Sequence, residues 1–218
     1  MLARRSRNGS RTNFVSFSGI DGSGKSTQID ALCGRLEQDG RHVVLIRFWD
    51  DIAKLTGLRE TAGHRIFKGD KGIGHPSAPI NRRDKNVKSW PMTCSGADLV
   101  IFDRYIYDEF ANLTLGNPAI RAYVRVIMKV VPIPDISYLL DADPINARAR
   151  KPEYPIEFLY RNRQSYLDLN ELVGGMTVIA PMAVEEVKLE VLRYALKLPL
   201  KSNQNGHDMS AASDEFSR

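Results

Sequence analysis

The chain has 218 residues and a formal net charge of +5, with 43% hydrophobic and 26% charged residues. This length is enough for one sizeable domain with its own core, and no apolar run approaches the ~20 residues of a membrane-spanning helix. The mild charge suits phosphate-bearing ligands. It is too small to predict a nucleic-acid partner, and the lack of a long apolar run predicts no membrane partner. Two cysteines, Cys33 and Cys94, are too few for a disulfide framework or a zinc site and predict a reducing, cytoplasmic location.

The two ends of the chain are polar and lack periodicity. Residues 1–12 are basic, residues 201–218 are polar, and both segments are predicted to be disordered tails. A transit peptide is the alternative for residues 1–12, because this segment is rich in Arg and Ser and lacks acidic residues. Between the tails, residues 13–200 are expected to form one domain.

Short apolar runs alternate with helical patterns along this domain. Strands are predicted, in chain order, at NFVSFSG, RHVVLIRFW, DLVIFDRY, DISYLLDA and MTVIA. Helices are predicted at KSTQIDALCGRLEQDG, near residues 118–131 and 153–173, and at VEEVKLEVLRYAL. Strands that are apolar on both faces and separated by helices are typical of a parallel sheet. The predicted fold is an α/β three-layer sandwich, a five-stranded parallel sheet with helices on both faces. The stretch 56–80 has no clear period and is predicted to be a long surface loop.

The connection between the first strand and the first helix carries a phosphate-binding motif. Its sequence GIDGSGKS, residues 19–26, fits the pattern G-x-x-x-x-G-K-[ST]. Glycines let backbone N–H groups converge on a polyphosphate, and the helix N-terminus adds partial positive charge. Lys25 would supply a full charge to the phosphates, and Ser26 a hydroxyl to Mg²⁺. We therefore expect ATP and Mg²⁺ here; a plain glycine-rich turn is the alternative. The residues predicted to bind ATP are Gly19, Gly22, Ser23, Gly24, Lys25, Ser26 and Thr27.

Charged side chains follow the other predicted strands. Ligands of parallel sheets bind at the carboxyl ends of the strands. The polar residues at those ends are Asp21, Arg47, Asp50, Asp51, Asp103, Arg104, Tyr105, Asp141 and Asp143. Each alone has a structural explanation, since charged residues often cap strands. Together, beside a phosphate loop, they favour phosphoryl transfer between two anions.

These motifs, in this order, resemble the thymidylate kinase family of P-loop nucleoside monophosphate kinases. The resemblance runs from about Phe14 to Leu196 and rests on GIDGSGKSTQ, VVLIRF, VIFDRYIYDEFA, PDISYLLDADPINARAR, FLYRNRQSYLDL and VIAPMAVEEV. The phosphate loop alone is widespread, whereas the loop, Asp-Arg-Tyr and lid in this order are much more specific. The resemblance implies the reaction of ATP and dTMP to ADP and dTDP, with Mg²⁺. It also makes a homodimer plausible.

The resemblance also assigns roles on the acceptor side. It implies that Arg47 and Arg104 clamp the acceptor's phosphate and that Asp21 lies between the donor and the acceptor's sugar or phosphate. Tyr105 would pack against the acceptor's sugar, and Asp103 would hold Mg²⁺ through water. Two further assignments concern the bases. Arg82, with Arg83 as a near rival, would contact the acceptor's base, and the backbone at Ala180 would lie beside the adenine.

The family supplies its transition-state arginine either from the phosphate loop or from the lid, here expected at about residues 144–156. The loop position is Gly22, so the resemblance implies that the lid provides the cation. Arg150 is the first choice, and Arg148, also assigned to ATP binding, and Lys151 are the alternatives. A solvated helix face is the structural explanation for the same residues. The predicted catalytic residues are Lys25, Arg104, Arg150 and Asp21.

The chain departs from the family pattern on the acceptor side. RFWDDIAKL stands where the family has Glu-Pro-Gly-Gly after its second strand, and IYDEFANL replaces a Ser-rich turn followed by Tyr-Gln. The lid sequence ARARKPEYPIEF is also short. Two alternatives to dTMP phosphorylation therefore remain. One is a P-loop kinase for another nucleotide or small metabolite, and the other is a nucleotide-binding module with little transferase activity.

Overall fold

The computed structural model describes residues 12–47 and 96–199. The strands are β1 (Asn13–Ser18), β2 (Val43–Arg47), β3 (Leu99–Asp103), β4 (Ile136–Leu140) and β5 (Met176–Ile179). The helices are α1 (Lys25–Gln38), α2 (Ile106–Phe110), α3 (Pro118–Met128), α4 (Pro144–Arg150), α5 (Ile156–Val173) and α6 (Val184–Ala195). Among these helices, none is long and apolar enough to cross a bilayer.

The strands form one sheet in the order β2-β3-β1-β4-β5, and every neighbouring pair is parallel. The predicted five-stranded parallel sheet is therefore confirmed. The central strand is β1. The chain first forms β2 and β3 on one side of it and then β4 and β5 on the other side. The carboxyl end of such a central strand is where α/β proteins of this kind bind their ligands.

Two separate hydrophobic clusters flank the sheet, which confirms helices on both faces. One cluster packs α1 and α6 against the sheet through residues such as Leu32, Leu36 and Val191. The other packs α3 and α5 against the opposite face, with Val124 and Leu169 fully buried. Strand residues alternate between the clusters, because successive side chains of a strand point to opposite faces.

Local sequence signals explain where two helices begin. Asn117 precedes α3, and its side chain accepts a hydrogen bond from the backbone N–H of Ala119 at 2.9 Å. Asp143 caps α4 in the same way through the N–H of Asn146 at 3.2 Å. Both helices continue with proline at their first position, where no N–H is needed. The predicted helix at 153–173 begins later, at Ile156, because Pro155 lies in extended backbone before it.

Several sequence predictions lie outside the described residues. They concern residues 1–11 of the first tail, all of the second, Cys94 and the 56–80 loop. Thr12, which was assigned to the first tail, is buried and donates a hydrogen bond to the carbonyl of Ala97 at 2.9 Å. This residue therefore packs with the domain.

Replacing Leu169 with Ala should destabilise the fold by about 2–5 kcal/mol, because its fully buried side chain would leave a cavity among α5 and the sheet. The free energy of unfolding in urea measures the loss. Leu189→Ala on α6 is the matched control, since Leu189 is 68% exposed and should cost less than about 0.5 kcal/mol. Equal losses of unfolding free energy in the two variants would contradict the burial of Leu169 in the core.

Candidate active site

The phosphate loop leaves β1 and closes on the first turn of α1. Lys25 is buried, and its ammonium donates hydrogen bonds to the carbonyls of Gly19 at 2.7 Å and Ile20 at 3.0 Å. Burial, with the nearby charge of Arg104, lowers the pKa of Lys25 to about 8. A bound polyphosphate would raise that pKa again, because an anion favours the charged ammonium. Lys25 thus stabilises the shape of the loop. A bound anion would also favour the positively charged form of its side chain.

Two glycines of the loop adopt backbone conformations that other residues rarely take. Gly22 has φ 79° and Gly24 has φ 93°. A Cβ on Gly24 would meet nothing within 4 Å, so the loop is open there. A Cβ on Gly22 would instead lie 2.3 Å from the carbonyl oxygen of Ala147. Helix α4 therefore packs directly on the loop, and a larger side chain at position 22 is excluded.

Asp21, also in the loop, forms an ion pair with Arg104, which follows β3. Arg104 Nη2 donates to Asp21 Oδ1 at 2.6 Å, and Lys151 Nζ lies 3.8 Å from the same oxygen. Burial would raise the pKa of Asp21, but the charges of Arg104 and Lys25 outweigh it and lower the pKa below its ordinary value. Asp21 is therefore an anion surrounded by cations.

Arg104 itself has an unusual backbone. Its φ of 72° lies in the left-handed region, which costs a non-glycine residue roughly 1–2 kcal/mol. Its N–H donates to the carbonyl of Phe17 at 3.0 Å, which links the end of β3 to β1. Burial would lower the pKa of the guanidinium, but Asp108 and Asp21 raise it above its ordinary value. The strained turn therefore presents a permanent positive charge beside the phosphate loop.

Asp103 and Arg47 end the neighbouring strands β3 and β2 and are paired in register. Burial raises the pKa of Asp103, against the opposing charges of Lys25 and Arg104. Ser26 and Thr27 are exposed on the first turn of α1. No cluster of three or more His, Cys, Asp or Glu that could hold a metal occurs in the described ranges. The oxygen atoms of Ser26 and Asp103 are of the type that Mg²⁺ prefers, and Mg²⁺ usually takes few protein ligands and completes its shell with water and phosphate oxygens.

Tyr105 lies mostly in the core. Only 7% of it is exposed, its hydroxyl donates to the carbonyl of Pro132, and its ring packs 5.3 Å from Phe102 and 5.6 Å from Tyr107. The predicted contact with the acceptor's sugar stays a prediction, and little of the ring surface is available for it. The observed contacts instead anchor the start of α2.

A cavity of about 600 Å³ opens on the other side of the loop. Its volume lies within the range of about 300–1,000 Å³ that small-molecule and cofactor sites occupy. It brings together several residues predicted to bind ATP, namely Ser23, Gly24, Thr27 and Ala180, together with Arg150 of α4. Arg148, on the same helix, is exposed and is not among the residues that line the cavity.

Two contacts near the candidate site were not predicted from the sequence. Asp108, within the IYDEFANL departure, is a buried carboxylate that faces Arg104 from the core. Its position three residues after Tyr105 is the one local signal, since carboxylates often occur there at helix starts. Arg163 of α5 donates to both oxygens of Asp141 at 2.5 and 2.7 Å, beside the cavity. No local pattern distinguishes Arg163 from its neighbours on the helix.

Some predicted acceptor-side residues lie outside the described part of the chain. They are Arg82 and its rival Arg83, as well as Asp50 and Asp51. Their predicted roles stay predictions.

Comparison with known proteins gives a consistent set of relatives, although no protein-family model matches the chain. The chain is 30% identical over 194 residues to a protein named "Probable thymidylate kinase" from Pyrobaculum aerophilum, covering 82% of this chain and 93% of that protein. It is 29% identical over 170 residues to a thymidylate kinase of Bifidobacterium longum, covering 72% and 82%. The crystal structure of thymidylate kinase from Ehrlichia chaffeensis shares the fold, with 24% identity, a TM-score of 0.51 and coverage of 85% and 98%.

Gly22→Ala should destabilise the protein more than Gly24→Ala, although both glycines have positive φ. Gly24→Ala should cost about 1–2 kcal/mol from backbone strain alone. Gly22→Ala adds the clash with Ala147, which we expect to cost at least ~1 kcal/mol more or to displace α4. Urea unfolding measures the first effect, and protease cleavage within residues 144–156 reports the second. Identical stability and identical cleavage would refute the close packing of α4 on the loop.

Proposed function

Because the chain belongs to the thymidylate kinase family, we propose that it transfers the γ-phosphoryl group of ATP to dTMP, giving ADP and dTDP. It is a phosphotransferase, as the resemblance in its motifs predicts. The observation that carries the proposal for this site is the ion pair of Asp21 and Arg104 at 2.6 Å. A permanent cation beside the loop proposed for the donor's phosphates supports binding of an acceptor's phosphate at Arg104.

The donor side follows from the loop and the cavity. We assign the triphosphate to the loop amides and Lys25, and the adenosine moiety to the cavity between α1, α4 and the segment at Ala180. The open space at Gly24 and the exposed hydroxyl of Ser26 fit a phosphate with its metal ion. Ser26 and Asp103 would hold Mg²⁺, which neutralises charge on the phosphate oxygens when it is bound.

The acceptor side consists of the cations at the ends of β2 and β3. Arg104 would bind the acceptor's phosphate, with Arg47 as its partner in the clamp. Asp21 holds Arg104 in place through their ion pair. An oxygen of the acceptor's phosphate attacks the γ-phosphorus, and the bond from that phosphorus to the β–γ bridging oxygen breaks. The attacking oxygen is already anionic, so the site needs charge neutralisation and alignment rather than a strong base.

The lid, proposed at residues 144–156, contributes further cations. Arg150 lines the cavity on the donor side, which supports its role as the transition-state arginine. Lys151 is directed to the other side of the loop, 3.8 Å from Asp21 and 3.2 Å from Glu153. We propose that Arg150 stabilises the charge on the transferring phosphoryl group and that Lys151 supports Asp21.

We also propose a location and an assembly. A cytoplasmic location is supported by the low cysteine content. In the part of the chain that the structure describes, Cys33 is a free thiol on α1. A homodimer is supported by membership of the family alone.

Release of ADP from ATP and Mg²⁺ should depend on a monophosphate, and dTMP should give the highest kcat/KM of the natural nucleoside monophosphates. Coupled ADP release with each monophosphate in turn measures this preference. Arg104→Ala should reduce kcat/KM for the preferred acceptor at least 100-fold, because a charge-assisted contact to the phosphate is lost. If another monophosphate gives a higher kcat/KM, that monophosphate replaces dTMP as the proposed acceptor. Binding of ATP without acceptor-dependent ADP release would indicate a nucleotide-binding module.

Arg150→Ala should lower kcat by at least 100-fold while the KM for ATP changes less than about threefold, because the side chain acts mainly in the transition state. Lys151→Ala and Arg148→Ala are the matched variants, since both remove a cation from the same segment. We expect Lys151→Ala to have the smaller effect on kcat and Arg148→Ala the smallest. Near-normal turnover in Arg150→Ala would transfer the transition-state role to Lys151 or Arg148.

A further inference from the structure

The carboxylate of Asp108 is buried where β1, α2 and α5 meet. The residue is 2% exposed. Its Oδ2 accepts hydrogen bonds from the hydroxyl of Ser18 at 2.7 Å and the N–H of Tyr105 at 2.9 Å. Its Oδ1 accepts from the hydroxyl of Tyr166 at 2.7 Å. The three donors come from β1, the turn before α2, and α5, so the carboxylate occupies a defined position in the core.

The charge of Asp108 faces the guanidinium of Arg104. Arg104 Nη1 lies 4.0 Å from Asp108 Oδ1, while Nη2 donates to Asp21 at 2.6 Å. The guanidinium therefore lies between two carboxylates, one in the phosphate loop and one in the core. Neither contact uses Nε, and a guanidinium has five N–H donors in a fixed plane. Most of these donors remain for a ligand that approaches the exposed 31% of the side chain.

A neutral amide would keep the shape of this carboxylate but neither its charge nor all of its acceptor positions. Ser18, Tyr105 and Tyr166 donate three hydrogen bonds, and a carboxylate has about four lone-pair positions to accept them, whereas an amide oxygen has two. A buried charge is also costly unless a cation compensates it. In residues 12–47 and 96–199, the ion pair shown for Asp108 is the one with Arg104.

We propose that Asp108 is a positioning residue, which fixes the guanidinium of Arg104 so that its remaining donors face the acceptor's phosphate. The inference rests on the proposed function, because it assigns Arg104 to that phosphate. With the Asp21 contact alone, the guanidinium could turn about a single hydrogen bond. The second carboxylate lies 4.0 Å from the opposite nitrogen, beyond hydrogen-bond distance, and its charge attracts that nitrogen and favours one orientation of the plane, which suits bidentate recognition of a phosphate.

The test compares the full chain with two nearly isosteric variants, Asp108→Asn and Tyr166→Phe. Asp108→Asn removes the charge that faces Arg104. Tyr166→Phe removes a hydrogen bond from the same carboxylate but leaves its charge. We expect Asp108→Asn to raise the KM for dTMP at least tenfold and the KM for ATP less than twofold. Tyr166→Phe should lower the melting temperature but change the KM for dTMP less than twofold.

A second readout does not depend on activity. The guanidinium signals of Arg104 in ligand-free protein can be assigned by their loss in Arg104→Lys, and rotation about the Nε–Cζ bond can be measured by ¹⁵N NMR as exchange between the two Nη nitrogens. We expect exchange at least tenfold faster in Asp108→Asn than in the wild type, with Tyr166→Phe close to the wild type. Asp108→Ser, which also removes the charge, replaces Asp108→Asn if that variant does not fold.

The outcomes separate the inference from the proposed function. If the wild type releases no ADP with any monophosphate, the proposed function fails, and the exchange of the Arg104 signal alone decides the inference. Unchanged exchange in the charge-removing variant overturns it. If the enzyme is active, two results also overturn the inference and leave Asp108 a purely structural residue. One is an equal rise of the KM for ATP and the KM for dTMP in Asp108→Asn, and the other is the same KM for dTMP in Asp108→Asn and Tyr166→Phe.

Discussion

The ion pair between Asp21 and Arg104 joins the phosphate loop to the end of β3, and the rest of the site depends on it. The loop follows β1, and parallel pairing of β1 with β3 carries both strand ends to the same edge of the sheet. Two residues 83 positions apart therefore meet at 2.6 Å. Each keeps the other charged, because Arg104 lowers the pKa of Asp21 and Asp21 helps raise that of Arg104. A fixed cation and a fixed anion thus lie at the boundary between the proposed donor and acceptor sides.

Helix α4 adds the second constraint on this boundary. Its backbone at Ala147 approaches the loop so closely that only glycine fits at position 22. From that contact the helix carries Arg150 to the cavity, while Lys151 at its end reaches Asp21. Consecutive residues point in different directions because a helix turns about 100° per residue. One short helix therefore places cations on both sides of the phosphate loop.

Carboxylates lie beside the arginines at the ends of β2 and β3. Asp21 and Asp108 flank Arg104, and Asp103 lies in register with Arg47 at the strand ends. Groups held in this way need little reorganisation when phosphates arrive, which is how preorganised sites stabilise charge in a transition state. The strained backbone of Arg104 belongs to the same arrangement, since surrounding contacts hold it in a conformation that a free chain would avoid.

The sequence by itself determined the five strands, four of the six helices in the described residues, the parallel sheet and the phosphate loop, because hydrophobic periodicity and the GIDGSGKS motif are local properties. It also indicated that charged residues such as Arg104 would gather at the strand ends. Only the tertiary structure decided where individual side chains point. Tyr105 turned into the core, and Asp108 met Tyr166 across 58 positions. Such contacts depend on how distant segments pack, and the spacing of residues along the chain carries no record of that packing.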